Sequence, residues 1–272
     1  GAALGRLAEL RGLESRLLRR GECDIADPVS VSEVLSRHRP WAVVNAAGYV
    51  RVADAEREPG RCFRENADGA ATLALACGRL GIRLVTFSSD LVFSGGATRP
   101  YVESDRPSPG GVYGASKAEA ERRVAEVLPS ALVVRTSAFF GPWDRHNILT
   151  RALEELAAGR EWTVPAAIVS PTYVPDLVTA VLDLVLDGEQ GVWHLANQGE
   201  TSWLEFIRKG AMLAGVGTSQ LREAEPEGAR LPPYTVLGSE RGLLLPPLED
   251  AIQRYVRLTR DQPALACEAS PA

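Results

Sequence analysis

The run "IRLVTFSSD", Ile82 to Asp90, decides how this chain is read. Its apolar core is bounded by Ser88, Ser89 and Asp90. A nearly continuous apolar run of this length suits a strand covered on both faces. Working outward, "WAVVNAAG" (41–48) is another β-rich run, stopped by small residues. Between them "CFRENADGAATLALACGRLG" (62–81) has helical periodicity and ends on glycine, a common helix stop. Beyond them come a strong helix former, "SKAEAERRVAEVL" (116–128), and a third strand, "ALVVRTSAFFG" (131–141). Strand, helix, strand, helix, strand at this spacing predicts a parallel sheet with crossover helices. The fold class expected is α/β, a Rossmann-like doubly wound parallel sheet.

The second half is less regular. "NILTRALEELAAGR" (147–160) reads as a helix, "AIVSPTY" (167–173) as a short strand and "VPDLVTAVLDLVLDG" (174–188) as a helix. "GVWHLAN" (191–197) is a strand, and "SWLEFIRKGAMLAG" (202–215) a helix with Ser202 as N-cap. After 216 the chain turns Pro-, Gly- and Glu-rich, and 259–272 reads as a disordered tail. The opening "GAALG" (1–5) resembles the end of a glycine turn leading into a helix, with no strand ahead of it. The sequence is therefore expected to be the ordered part of a longer chain. Interruptions are expected after Ala2 and near Pro165, with consecutive Cα atoms there well beyond ~3.8 Å.

The bulk composition excludes several classes. The chain has 272 residues, a net charge of −5 and a 45% hydrophobic share, typical of a globular protein. An acidic pI of about 5.4 leaves no electrostatic footprint for nucleic acid. Apolar runs such as "LVTAVLDLVLD" are too short to span a bilayer, so no membrane partner is expected. Cys23, Cys62, Cys77 and Cys267 form no CxxC pair, and read as reduced thiols of a cytoplasmic protein. His38, His146 and His194 are scattered singly, and no metal site is expected.

Only two lysines occur, Lys117 and Lys209. Lys117 lies four residues after Tyr113 at the head of a helix, so both side chains project from one face. Such a pair suits proton transfer to or from a carbinol or carbonyl oxygen. A free phenol has a pKa near ~10, and a nearby ammonium is expected to lower it. Chance spacing is the alternative, so context must decide. Ser88 and Ser89 follow an apolar strand, where open α/β sheets place their ligand crevice. Ser89 could donate to a substrate oxygen; two turn serines capping a strand is the plainer alternative. The small residues Asn45, Ala46, Ala47 and Gly48 would let a cofactor approach the backbone. Asp24, next to Ile25, could bind an adenine amino group, although capping duty ahead of "PVSVSEVLSR" explains it equally well.

In order along nearly the whole chain, these segments resemble the extended short-chain dehydrogenase/reductases, and within them the dTDP-4-dehydrorhamnose reductase family. "DIADP", "RPWAVVNAAGYVRVADAERE", "ENADGAATLA", "FSSDLVFSG" and "PSPGGVYGASKAEAE" carry the resemblance, continued by "VRTSAFFG", "SPTYVPDL" and "GVWHLANQGETSWLEF". It implies a nicotinamide cofactor, NADPH first and NADH as the alternative, and a nucleotide-sugar substrate. Carried over, Ser89 polarises the keto oxygen, Tyr113 protonates it, and Lys117 binds ribose and tunes Tyr113. Gly1, Gly5, Arg19, Asp24, Ile25, Asn45, Ala46, Ala47, Gly48 and Ser88 join Tyr113 and Lys117 as expected cofactor contacts. Arg19 and Arg20 could favour a 2′-phosphate or lie solvated. Ser89, Asp90, Arg135, Trp143 and Asn147 are candidate substrate contacts, with core or loop packing the alternative for the last three. The expected units are a cofactor-binding domain over 1–140, with 166–188 returning to it, and a smaller C-terminal substrate-binding subdomain over 141–165 and 189–258. A homodimer is allowed. Leu91 replaces a family tyrosine and Gly111 a family asparagine, which leaves sugar specificity open; the glycine motif is incomplete. Epimerase or dehydratase chemistry, or a non-catalytic NADP-binding regulatory subunit, are the competing readings.

Overall fold

The computed structural model describes residues 1–144, 146–224, 231–242 and 245–261. Its central sheet has four parallel strands, β1 (Ala42–Asn45), β2 (Arg83–Ser89), β3 (Leu132–Thr136) and β4 (Gly191–His194), side by side in chain order. Side chains alternate across the pleat. Leu84 and Val133 enter one apolar cluster, Val85, Leu132 and Val134 the opposite one. Helices α1 (Ala2–Leu10) and α6 (Val174–Asp187) cover the second face. Helices α2 (Pro28–His38), α3 (Gly69–Leu80) and α4 (Val112–Val127) cover the first. Both faces are therefore dry, as the uninterrupted apolar strands require.

A separate core gathers Phe140, Leu149, Tyr173, Phe206, Ile252 and Tyr255. It is built by α5 (Ile148–Ala157), α7 (Trp203–Ala214) and α8 (Leu248–Asp261), with paired short strands such as Trp162–Pro165 against Leu221–Ala224. Ser202 caps α7, its hydroxyl accepting from the Glu205 N–H at 3.1 Å. Helix α3 stops at Gly81, whose φ of 66° an L side chain resists.

Several expectations are corrected. Gly5 N–H bonds Gly1 C=O at 3.1 Å, so the chain winds without interruption through Ala2. "GAALG" is thus a helix start, with Gly5 closely packed: a Cβ there would lie 3.0 Å from the Leu17 side chain. Near Pro165 the chain is likewise continuous, with Ala167 N–H bonded to Pro165 C=O at 3.0 Å. The expected strand 167–173 is two short ones, Ile168–Val169 and Thr172–Tyr173, with different partners. Thr259, placed in the tail, belongs to the last turn of α8; 262–272 lie outside the described residues. The helix over 62–81 contains a π turn at Arg64–Asp68. Among the described residues no helix is long and apolar enough to cross a membrane, and no metal-ligand cluster occurs.

Candidate active site

The carboxyl ends of β1 and β2 carry Asn45 and Ser89, and the chain after β2 makes a short turn over Asp90–Val92. The start of α4 packs directly on that turn. A Cβ on Gly114 would fall 2.0 Å from Leu91 O, so only glycine lets the helix come this close. The first N–H of α4, at Val112, donates to the Glu56 carboxylate at 2.8 Å. An acid at a helix N-terminus suits the positive end of the dipole. These two contacts hold the first turn of α4, with Tyr113, against the Asp90–Val92 turn, and the Tyr113 ring packs on Tyr49 and Cys62.

Lys117 follows one turn later and is only 9% exposed. Its Nζ lies 5.9 Å from the Tyr113 ring centroid and donates to Phe87 O at 3.3 Å. Burial pulls this ammonium down to about 8, with Cys62 and Glu121 opposing the fall. The Tyr113 phenol moves the other way: burial pushes it up, and the neighbouring Asp90 and Cys62 add to the rise. The expected lowering of Tyr113 by Lys117 is therefore not found: burial, Asp90 and Cys62 all raise the phenol. Behind the pair, Ser116 donates to Tyr113 O at 2.7 Å and accepts from Asn66 Nδ2 at 2.9 Å. Asn66 Oδ1 in turn accepts the Tyr49 N–H at 2.9 Å. The sequence reading gave Asn66 and Ser116 no role; "ENADGAATLA" was the one stretch that could have flagged Asn66.

Ser89 Oγ donates to Asp90 Oδ1 at 2.9 Å and accepts from Leu91 N–H at 3.1 Å. Asp90 is buried. Burial pushes its carboxyl up, opposed by the hydroxyls of Ser137, Thr235 and Ser89 and the Leu91 N–H.

Gly1, Gly5, Arg19, Asp24, Ile25, Asn45, Ala46, Ala47 and Gly48 all line one cavity of about 910 Å³ beside β1. That volume is in the range of a small-molecule site. Ser88, Tyr113 and Lys117 are not in that lining; Gly48, which is, approaches the pair, a Cβ on it lying 2.6 Å from Asn66 Oδ1 and 3.6 Å from Lys117 Nζ. The space at Gly48 is taken by this chain's own Asn66, and the Ser88 hydroxyl is buried with no partner among the described residues. The unpartnered Ser88 hydroxyl and the small-residue lining of Gly1, Gly5, Ala46, Ala47 and Gly48 fit an extended dinucleotide. Asp24 is less free than expected, because its carboxylate takes Arg64 at 2.7 Å and the Ala26 N–H at 3.1 Å. The Arg64 hydrogen bond holds it below the usual carboxylate range. Arg20 pairs with Glu65 at 2.9 Å.

Three candidate substrate contacts go elsewhere. Arg135 is buried in a bidentate pair with Glu121, at 2.9 and 2.7 Å, and its Nη1 reaches His194 Nε2 at 3.3 Å. Asn147 caps α5, its Oδ1 accepting from Thr150 N–H at 3.0 Å and its Nδ2 donating to Gly141 O at 3.1 Å. Trp143 stacks with Arg6 of α1, 5.9 Å from guanidinium to ring.

Comparison with known proteins adds a family. Residues 1–252 match the family model of the RmlD substrate binding domain. The chain is 36% identical over 249 residues to a dTDP-4-keto-6-deoxy-D-glucose reductase of Streptomyces niveus, covering 87% of this chain and 85% of that one. It is 34% identical over 281 residues to a dTDP-4-dehydrorhamnose reductase of Mycolicibacterium smegmatis, covering 97% and 85%. A crystal structure of the Bacillus anthracis dTDP-4-dehydrorhamnose reductase in complex with NADP superposes with a TM-score of 0.87 at 30% identity, covering 94% and 92%.

Proposed function

This chain belongs to the RmlD family of extended short-chain dehydrogenase/reductases, and we propose that it is an NADPH-dependent reductase of a nucleotide-linked 4-keto-6-deoxy sugar. The observation that carries the reading is the Tyr113–Lys117 pair on the helix packed against the Asp90–Val92 turn, beside Gly48 of a dinucleotide-sized cavity. NADPH, when bound, supplies the hydride. The protein supplies placement and the proton. In the reducing direction the keto oxygen becomes an alkoxide, a strong base. The raised pKa of Tyr113 keeps its phenol protonated at neutral pH, and an alkoxide readily takes that proton. Lys117 offers ammonium donors to ribose hydroxyls, its compact head fitting where a planar guanidinium would not. Ser89 completes the set by donating to the keto oxygen, after its proton turns away from Asp90.

Substrate would sit between the sheet unit and the second core. We take residues 1–140 with 174–194 as the cofactor unit and the rest of the described chain as the substrate unit. In the same reading the enzyme is cytoplasmic, where Cys23, Cys62 and Cys77 stay free thiols. A homodimer is tested by sedimentation at assay concentration.

The test is a panel of dTDP-, GDP- and UDP-linked 4-keto sugars, including dTDP-4-dehydrorhamnose, followed by NADPH absorbance. Sugar-dependent NADPH oxidation that falls about 10²–10⁴-fold in Tyr113→Phe supports the reading. Isomerisation without NADPH consumption, or binding without turnover across the panel, would overturn it.

A further inference from the structure

The hydroxyl of Ser89 has one proton, and in this structure that proton points at Asp90. Asp90 has no ion-pair partner among the described residues. It is instead held by three hydroxyls: Ser89 on Oδ1, with Ser137 at 2.7 Å and Thr235 at 2.8 Å on Oδ2. All four residues are buried. A buried carboxylate without a cation depends on each such donor.

The two Oδ2 donors come from different parts of the chain. Ser137 immediately follows β3. Thr235 is 145 residues from Asp90, in a segment tied to the second core by Thr235 N–H to Ile168 O at 3.0 Å and Leu237 N–H to Ser170 Oγ at 3.0 Å. Thr235 therefore links the far unit to the carboxylate that orients the Ser89 hydroxyl.

We propose that Asp90 and Thr235 are positioning residues for Ser89: Thr235, through Asp90, sets where the Ser89 hydroxyl sits when a keto oxygen arrives. With Ser137 and Thr235 in place, Asp90 keeps two hydroxyl donors, besides the Leu91 N–H, after Ser89 turns its proton toward substrate, so the turn does not strand a bare carboxylate. Without Thr235 the Oδ2 atom loses one of them, and Asp90 holds the Ser89 proton more tightly or reorients. The effect falls on the chemical step, because Thr235 and Ser137 reach Ser89 only through the Asp90 carboxylate.

The inference rests on the reductase reading, and its test separates the two. With NADPH and dTDP-4-dehydrorhamnose, Thr235→Val should lower kcat about tenfold with KM changed less than about twofold. NADPH affinity, read by fluorescence titration, should be unchanged, and Thr235→Ser should recover most of kcat. Ser137→Ala, which removes the other Oδ2 donor, should show the same split and serves if Thr235→Val does not fold. A merely structural role would impair Thr235→Val through cofactor affinity and melting temperature together. Wild-type kcat in both variants, or a Thr235→Ser enzyme as slow as Thr235→Val, would overturn the proposal. If the wild-type protein reduces none of the sugars, the reductase reading fails. A crystal structure of Thr235→Val then decides the inference by itself: a Ser89–Asp90 hydrogen bond unchanged in length and rotamer would sink it, and a turned Ser89 hydroxyl would sustain it.

Discussion

Lys117 and Arg135 are two buried cations within reach of the same helix, and they are handled in opposite ways. Arg135, 3% exposed, is matched by the two carboxylate oxygens of Glu121 and stacks 5.2 Å over Phe93. Lys117, 9% exposed, sits one turn before Glu121 on α4, yet its one hydrogen-bond partner among the described residues is a carbonyl at 3.3 Å. Glu121 could have served either cation, and the fold gives it to the arginine. A satisfied guanidinium, forked onto a carboxylate, is spent on structure. An ammonium left with a neutral oxygen stays costly to bury and remains available to a ligand. Burial alone does not mark a working cation; the absence of a carboxylate partner does.

Three substitutions press on this contrast. The largest effect should come from Arg135→Met, which leaves Glu121 buried and unpaired. A loss of about 3–5 kcal/mol is expected in urea unfolding, with most of it recovered in Arg135→Met/Glu121→Leu. A mild single mutant would mean that the pair is not the structural member of the two. Lys117→Met should act oppositely, abolishing turnover while stabilising the fold by about 1–3 kcal/mol at neutral pH. Its pH dependence carries the sign. The unfolded lysine holds its proton to about 10.5 and the folded one to about 8. Between those values the unfolded state binds more protons, so wild-type stability rises with pH. The advantage of Lys117→Met should be full below pH 8 and fade toward pH 10.5, as followed by unfolding at several pH values. The smallest effect is Asn147→Ala, which removes the α5 cap for about 1 kcal/mol in thermal melts. A large change in sugar KM there would return Asn147 to the substrate.

Much of this was legible in sequence because it is local. The three apolar runs became β1, β2 and β3, and the four-residue step from Tyr113 to Lys117 became one helix face. Ser202 and Gly81 marked helix ends because capping is decided within a turn. What escaped was long-range or competitive. Nothing in the sequence says that Glu121 prefers Arg135 to Lys117, or that Thr235 returns to Asp90 across 145 residues. The glycines of "GAALG" were read by spacing alone, whereas the structure puts Gly5 inside helix α1, packed on Leu17. The sign of the Tyr113 shift was missed because an adjacent cation was weighed without the desolvation that both groups share.

The scarcity of lysine has a practical side. Of the two side-chain amines in the chain, Lys117 is walled in against the sheet, while the Lys209 side chain is 38% exposed at the rim of the second core, 3.0 Å from Glu249. An acylating dye meets one accessible lysine ammonium. A fluorophore placed there would report on the substrate unit.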